Sequence, residues 1–244
     1  MKPFIRNGLL FTLGAVAAGI AISAAATLNL PASGEFPVHW GADGAPDRWT
    51  DHAGAIRYLW AMPAITLAVG LVLAAVPVID PRKGNIETGR RAYVAIWLAV
   101  MVLLTCVHGG VALQMLQSGD GAGDSASASG QSSQMVRWVI AATAALMIVI
   151  GNYLPKTRSS FFFGIRTPWT LSSDLAWEKT HRVAGPLFMI AGALGLVGAF
   201  VLSGIWLALQ LSVLVVGAAL ISAIYSYFAW RNAPDRDHGT NLTV

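Results

Sequence analysis

Charge is what this chain has least of. Only 11% of its 244 residues are Asp, Glu, Lys or Arg, while 55% are hydrophobic; an ordinary soluble domain carries about 25% charged residues. A water-soluble core of this size needs a charged exterior, so the deficit argues against a single soluble domain and for a bilayer as the main solvent. Cysteine is nearly absent too. Cys106 stands alone, which excludes an intramolecular disulfide and a cysteine-based zinc cluster. A nucleophile-elbow serine motif, a phosphate-binding glycine loop and a His-Glu-x-x-His pair are all missing. The sequence therefore reads as a non-enzyme without a cofactor. No internal repeat marks an inverted-repeat transporter.

What the chain does have is long apolar runs. Six lie at about residues 7–30, 56–79, 93–117, 136–154, 184–202 and 205–230, each near the ~20 residues needed to cross the hydrocarbon core. The expected fold is all-α: a polytopic membrane protein of six transmembrane helices. Lys2 and Arg6 before the first run, with Ala24, Ala25 and Ala26 near its end, look like a signal peptide. The run is longer than the usual h-region of about 7–15 residues, so an uncleaved helix is expected. The chain divides into a four-helix region, 1–154, with an outward loop at 31–55, and a region 155–244 with a loop at 155–182 and two helices.

The net charge of +4 is spread beside the apolar runs and forms no continuous basic face, so no direct nucleic-acid partner is expected. Lys2, Arg6, Arg82, Lys83, Arg90, Arg91, Lys156, Arg158, Arg166, Lys179, Arg182, Arg231 and Arg236 fall on one side of the alternating topology. Only Arg48, Arg57 and Arg137 fall on the other. The positive-inside rule then puts both termini and the 155–182 loop in the cytoplasm. Of the outward connections, Ser203-Gly204 is a tight turn, and 118–134, rich in glycine and serine, reads as a flexible tether.

The densest segment is FFFGIRTPWTLSSDLAWEKTHR, residues 161–182. Gly164 permits an unusual backbone angle, Pro168 pushes Thr167 toward an extended conformation, and Ser172 or Ser173 can cap a helix opening at Asp174. A bend followed by a short helix is expected. On that helix Glu178 and Arg182 stand at i, i+4, and Trp177 and His181 share the neighbouring face. One reading is an interfacial anchor, in which Phe161, Phe162, Phe163, Trp169 and Trp177 sit at headgroup level and the cations meet anionic lipid. The other is a docking surface or gate, because an anchor needs composition and not the order Gly-Ile-Arg-Thr-Pro-Trp. Arg166 would then use its planar fork on a phosphate or carboxylate.

On the outward side, FPVHWGADGAPDRW (36–49) alternates Phe36, Val38 and Trp40 with Pro37 and His39, and carries turn signals at Asp43-Gly44 and Pro46-Asp47. A small hairpin-like cap is expected. His39, Asp43, Asp47, Asp51 and His52 can be read as a loose metal set or as solvated turn residues with Asp51 near a helix start. His108 lies within the third run, where an intramembrane imidazole either bonds a neighbouring helix or belongs to a sensing or proton path. Ala191, Gly195 and Ala199 make a small-residue face suited to close helix packing.

GNYLPKTR, FFGIRTPWTL and WEKTHR, between Gly151 and Arg182, resemble the C-terminal signature of the SdpI family of bacterial membrane proteins. FPVHWGADGAPDRW resembles the small membrane domain that often precedes it. Ser160 departs from the asparagine expected before the aromatic run. The resemblance implies a multi-pass protein of the bacterial inner (cytoplasmic) membrane that gives immunity to a sporulation-delaying type of antimicrobial peptide toxin. It also implies signalling, with an ArsR-type repressor held at the membrane. The binding residues expected are Gly164, Arg166, Pro168, Trp169, Trp177, His181 and Arg182 inside, with His39, Trp40 and Asp47 outside and His108 within the bundle; no metal is assigned. A small-solute or proton-linked transporter using His108 is the alternative.

Overall fold

The computed structural model describes residues 1–41, 44–118 and 125–236, with the backbone alone for 125–133. Its long helices are α1 (Pro3–Asn29), α2 (His52–Ile79), α4 (Arg90–Ser118), α5 (Ser125–Tyr153), α7 (Asp174–Val201) and α8 (Gly204–Arg231), and two short ones are α3 (Lys83–Thr88) and α6 (Pro168–Ser172). All six long helices contain spans long and apolar enough to cross a membrane. Residues such as Leu71, Val72, Val197, Val213 and Ile224 are exposed on them, an arrangement suited to lipid and costly in water. The chain is a multi-pass membrane protein.

The helices pack in two groups. Helix α1 lies against α2 and α4, α7 lies against α5 and α8, and the α4–α5 contact joins the groups. Helix α5 meets α7 more extensively than it meets α4. The reason is the small-residue faces. A Cβ on Gly192 would lie 2.6 Å from the Ala144 carbonyl oxygen, so the backbones of α5 and α7 approach more closely than larger residues allow. Ala191, Gly195 and Ala199 are buried in the same bundle.

Two apolar clusters hold the first group. Phe4, Ile5, Val76, Ile86, Tyr93, Trp97 and Met101 pack at one end, and Ala26, Leu30, Phe36, Ala55, Leu59, Ala112 and Met115 at the other. Phe36 belongs to a hairpin of β1 (Phe36–Trp40) and β2 (Pro46–Thr50), antiparallel, with Phe36 opposite Thr50 and Trp40 opposite Pro46. The expected cap is therefore present. Its fully buried Phe36 plugs the end of the bundle, and Asp51 caps α2 by accepting from the Gly54 N–H at 2.8 Å.

Two expectations need correction. The backbone of 125–130, part of the stretch read as a flexible tether, is helical and continuous with the fifth span; its serines alternate with alanine, the strongest helix former. The second is the short helix expected from Asp174. No breaker ends it before the apolar run, so it is the start of α7 and continues to Val201. The short helix is α6, closed by the extended Ser173.

Candidate functional site

The segment between α5 and α7 folds into an elbow. A 3-10 turn, Leu154–Lys156, ends α5, and Thr157 closes it by donating to the Leu154 carbonyl at 2.7 Å. Pro168 opens α6 because its fixed φ suits a first helical position and its missing N–H is not needed there. Thr167 before it is extended, with ψ 161°, and accepts from the Thr170 N–H while the Thr170 hydroxyl accepts from the Thr167 N–H at 3.0 Å. That reciprocal box satisfies two donors left over at a helix start. Thr170 donates its own proton to the Ile165 carbonyl at 2.8 Å, so the bend and α6 form one unit.

Gly164 is the pivot, with φ +101°, a value that favours glycine. A Cβ there would lie 2.5 Å from His181 Nε2 and 2.8 Å from the Trp177 ring. Those two rings stack, centroids 4.0 Å apart and planes 18° off parallel, and both are buried. His181 Nδ1 faces the Trp177 carbonyl at 2.8 Å and Nε2 accepts from the Ile165 N–H at 2.9 Å. Since a carbonyl only accepts, the proton is on Nδ1 and the lone pair on Nε2. Trp177 Nε1 donates to the Thr157 carbonyl at 3.3 Å. Three of the expected residues, Gly164, Trp177 and His181, are thus brought together.

Residues that the motif reading missed fasten the elbow to the rest of the chain. Asp80, 1% exposed, caps the end of α2; one oxygen accepts from the Arg82 N–H at 2.6 Å, the other from Ser160 Oγ at 2.7 Å and the Phe161 N–H at 3.0 Å. Ser160, the departure from the expected asparagine, is therefore the residue that reaches Asp80. The Arg82 guanidinium donates to Ser159 Oγ and to the Leu171 carbonyl, the latter at 2.7 Å, and lies 3.6 Å from Asp174. Asn85 Nδ2 donates to the Ser159 carbonyl at 2.8 Å. From the other group, Ser226 on α8 bonds Thr167 at 2.9 Å.

Asp235, beyond α8, accepts from Ser173 Oγ at 2.6 Å and from the Leu175 N–H at 3.1 Å, closing the start of α7. Burial raises this carboxyl, but the Ser173 hydroxyl and the N–H groups of Leu175, Asp174 and Asp235 itself outweigh it and hold the group below its ordinary value. The one signal that could have found Asp80 is its isolation as a single carboxylate just past the end of an apolar run; Asp235, followed by Asp237, carries no such mark.

The other expected residues are more dispersed. Arg166 is exposed and donates to the Phe161 carbonyl at 2.7 Å; Trp169 meets Tyr227 edge-on at 5.3 Å; Arg182 turns outward to Glu178 at 2.5 Å, the expected pair. The five aromatics of the anchor reading do not act alike. Phe161 and Phe162 are exposed, Phe163 packs on Tyr93, and Trp177, 2% exposed, lies in the elbow interior.

At the hairpin end His39 and Asp47 pair at 2.5 Å, both exposed, with Trp40 on the same strand as His39. Asp51 is occupied as a cap, and His52 Nδ1 donates to the Pro31 carbonyl at 2.8 Å. Asp43 lies outside the described residues. Among the described residues no three His, Cys, Asp or Glu side chains gather to hold a metal. His108 is buried; its Nε2 is 3.2 Å from Ser23 Oγ, which donates to the Leu59 carbonyl at 2.8 Å. The hydroxyl proton is thereby used, so His108 donates, and the chain of bonds ties α4 to α1 and α2.

A comparison with known protein families covers the elbow together with α7 and most of α8. The SdpI/YfhL protein family profile matches residues 156–226. Immunity protein SdpI of Bacillus subtilis (strain 168) is 31% identical over 85 residues, which is 35% of this chain and 41% of that protein. The chain thus spans less than half of that relative's length. No solved structure matches.

Proposed function

We propose, on the match of residues 156–226 to the SdpI/YfhL family, that this chain is a membrane immunity protein that senses a toxic amphipathic peptide and passes its state to a cytoplasmic partner through the elbow. The observation that carries the reading is the fastening of the elbow, which opens the family-matched segment. Bonds from Asp80, Arg82, Asn85, Ser226 and Asp235 converge on it. A lipid anchor gains nothing from one fixed backbone shape, whereas a recognition surface loses less conformational entropy when it is already formed.

In this reading the hairpin end faces outward and meets the peptide, offering the exposed pair His39 and Asp47 beside the half-buried Trp40. The elbow end faces the cytoplasm, as the cation distribution favours, and presents Phe161, Phe162, Arg166 and Pro168 on its exposed side. A repressor carrying carboxylates would meet the Arg166 fork.

The test is expression in a host sensitive to such a peptide, scoring survival together with repressor recovery in the membrane fraction. Wild type protects, and Arg166→Lys at equal membrane abundance protects less, because an ammonium cannot reproduce a planar fork. An absence of protection by wild type removes the immunity reading. Full protection by Arg166→Lys removes the role given to the fork.

A further inference from the structure

The ends of α4 and α5 at the elbow side enclose a cleft of about 600 Å³ whose charged lining is entirely cationic: Arg90, Arg91 and Lys156, with Thr88 and Tyr153 beside them. None of the three cations pairs with a carboxylate among the described residues. The Arg90 guanidinium reaches the Glu87 carbonyl at 3.4 Å, and Lys156 Nζ lies 3.3 Å from Asn152 Oδ1 and 4.8 Å from the centre of the Tyr153 ring. Glu87, the acid nearest in sequence, has its carboxylate 2.5 Å from Lys2.

Three like charges in one cleft repel, and an anion between them relieves that repulsion. The backbone adds to the preference, because the first turn of α4 contributes N–H groups without intrahelical partners and the positive end of the helix dipole. The cleft also has a defined depth. Both flanking helices are apolar spans that end at it, one beginning at Arg90 and the other ending at Lys156, which places the cations where hydrocarbon gives way to headgroups. Tyr153 there suits the aromatic layer of that interface.

We infer that Arg90, Arg91 and Lys156 bind a phosphate oxyanion. Guanidinium forks and an ammonium from two helices match its several acceptor oxygens, and basic pockets between membrane helices hold anionic lipid headgroups. A free phosphate presents the same chemistry, and the two sources are separable. The site stands independently of the immunity reading.

The experiment uses the full chain in nanodiscs of phosphatidylcholine with a minority of phosphatidylglycerol. Co-purifying lipid is counted by mass spectrometry, with and without millimolar inorganic phosphate. Wild type enriches phosphatidylglycerol over the surrounding bilayer, and each of Arg90→Gln, Arg91→Gln and Lys156→Gln lowers the enrichment about fivefold. Arg231→Gln, at the same end but outside the cleft, leaves it unchanged. Enrichment that resists phosphate assigns the site to a lipid headgroup; displacement of the lipid, or phosphate binding in pure phosphatidylcholine, assigns it to a soluble phosphate. Enrichment unchanged in Lys156→Gln, an exposed position whose substitution leaves folding intact, overturns the inference, as does failure of wild type to bind either ligand.

Discussion

The Ile165 N–H points at His181 Nε2 from 2.9 Å, and the same imidazole, one atom further round, faces the Trp177 carbonyl at 2.8 Å. A residue of the bend is thereby tied to the second turn of a long helix through a buried ring. The ring works in a single tautomer.

That tautomer is directly observable. Nitrogen-15 spectra of the labelled imidazole are expected to show a protonated Nδ1 and a bare Nε2. His181→Phe keeps a ring against Trp177 but leaves the half-buried Ile165 N–H without its acceptor, a loss of about 1–3 kcal/mol. Thermal unfolding in detergent should register it as a lower midpoint, and trypsin should cut faster at Arg166. An unchanged midpoint contradicts the bond's contribution.

Gly164→Ala should destabilise the elbow for two reasons. Alanine is strained by about 1–3 kcal/mol in a left-handed or otherwise sparsely populated backbone region, and its methyl would sit 2.5 Å from His181 Nε2. Gly14→Ala is the matched control, since a Cβ at Gly14 meets nothing within 4 Å inside α1, and alanine is the better helix former by about 1 kcal/mol. The two substitutions should shift the unfolding midpoint in opposite directions.

Asp80→Asn tests the buried fastening. The carboxylate takes three donors on two oxygens, whereas an amide turns an NH2 toward at least one of them. The expected loss is about 1–3 kcal/mol, accompanied by faster proteolysis at Arg158 and Arg166 while the six helices stay membrane-embedded. Equal proteolysis rates in the variant and wild type would show that Asp80 does not hold the elbow.

Asp235 gives the elbow an acid limit. Its carboxyl is held below the ordinary 3.8, so the folded state prefers the ionised form. The resulting stability is fully present above that value and is lost as pH falls through the folded-state value. Asp235→Asn should lower stability near neutral pH by roughly 1 kcal/mol, the scale of one lost cap, and the gap from wild type should close in the acid range. A gap independent of pH contradicts the ionised cap.

Much of the local structure was legible because it depends on near neighbours in the chain. Thr167 is extended before Pro168, Ser173, one of the two serines offered as a cap, closes the start of α7, and Glu178 with Arg182 stand one turn apart. Trp177 and His181 share a face for the same reason, and Asp51 caps α2. The site itself was only partly legible. Asp80 lies 80 positions from Ser160 and Asp235 lies 62 from Ser173, and no periodicity or motif reports a contact across such distances. Trp177 read equally well as an interfacial aromatic until its surroundings were known.

By itself the sequence determined six apolar spans and the caps and bends between them, because solvent transfer and backbone conformation act residue by residue along the chain. Tertiary structure alone decided which helices share a face, that Asp80, Arg82 and Asn85 grip the elbow, and that Arg90 and Arg91 meet Lys156 across one cleft. Hydrogen bonds and charge repulsion depend on separation in space. The small residues that let α5 and α7 come close establish those separations only when the bundle has closed.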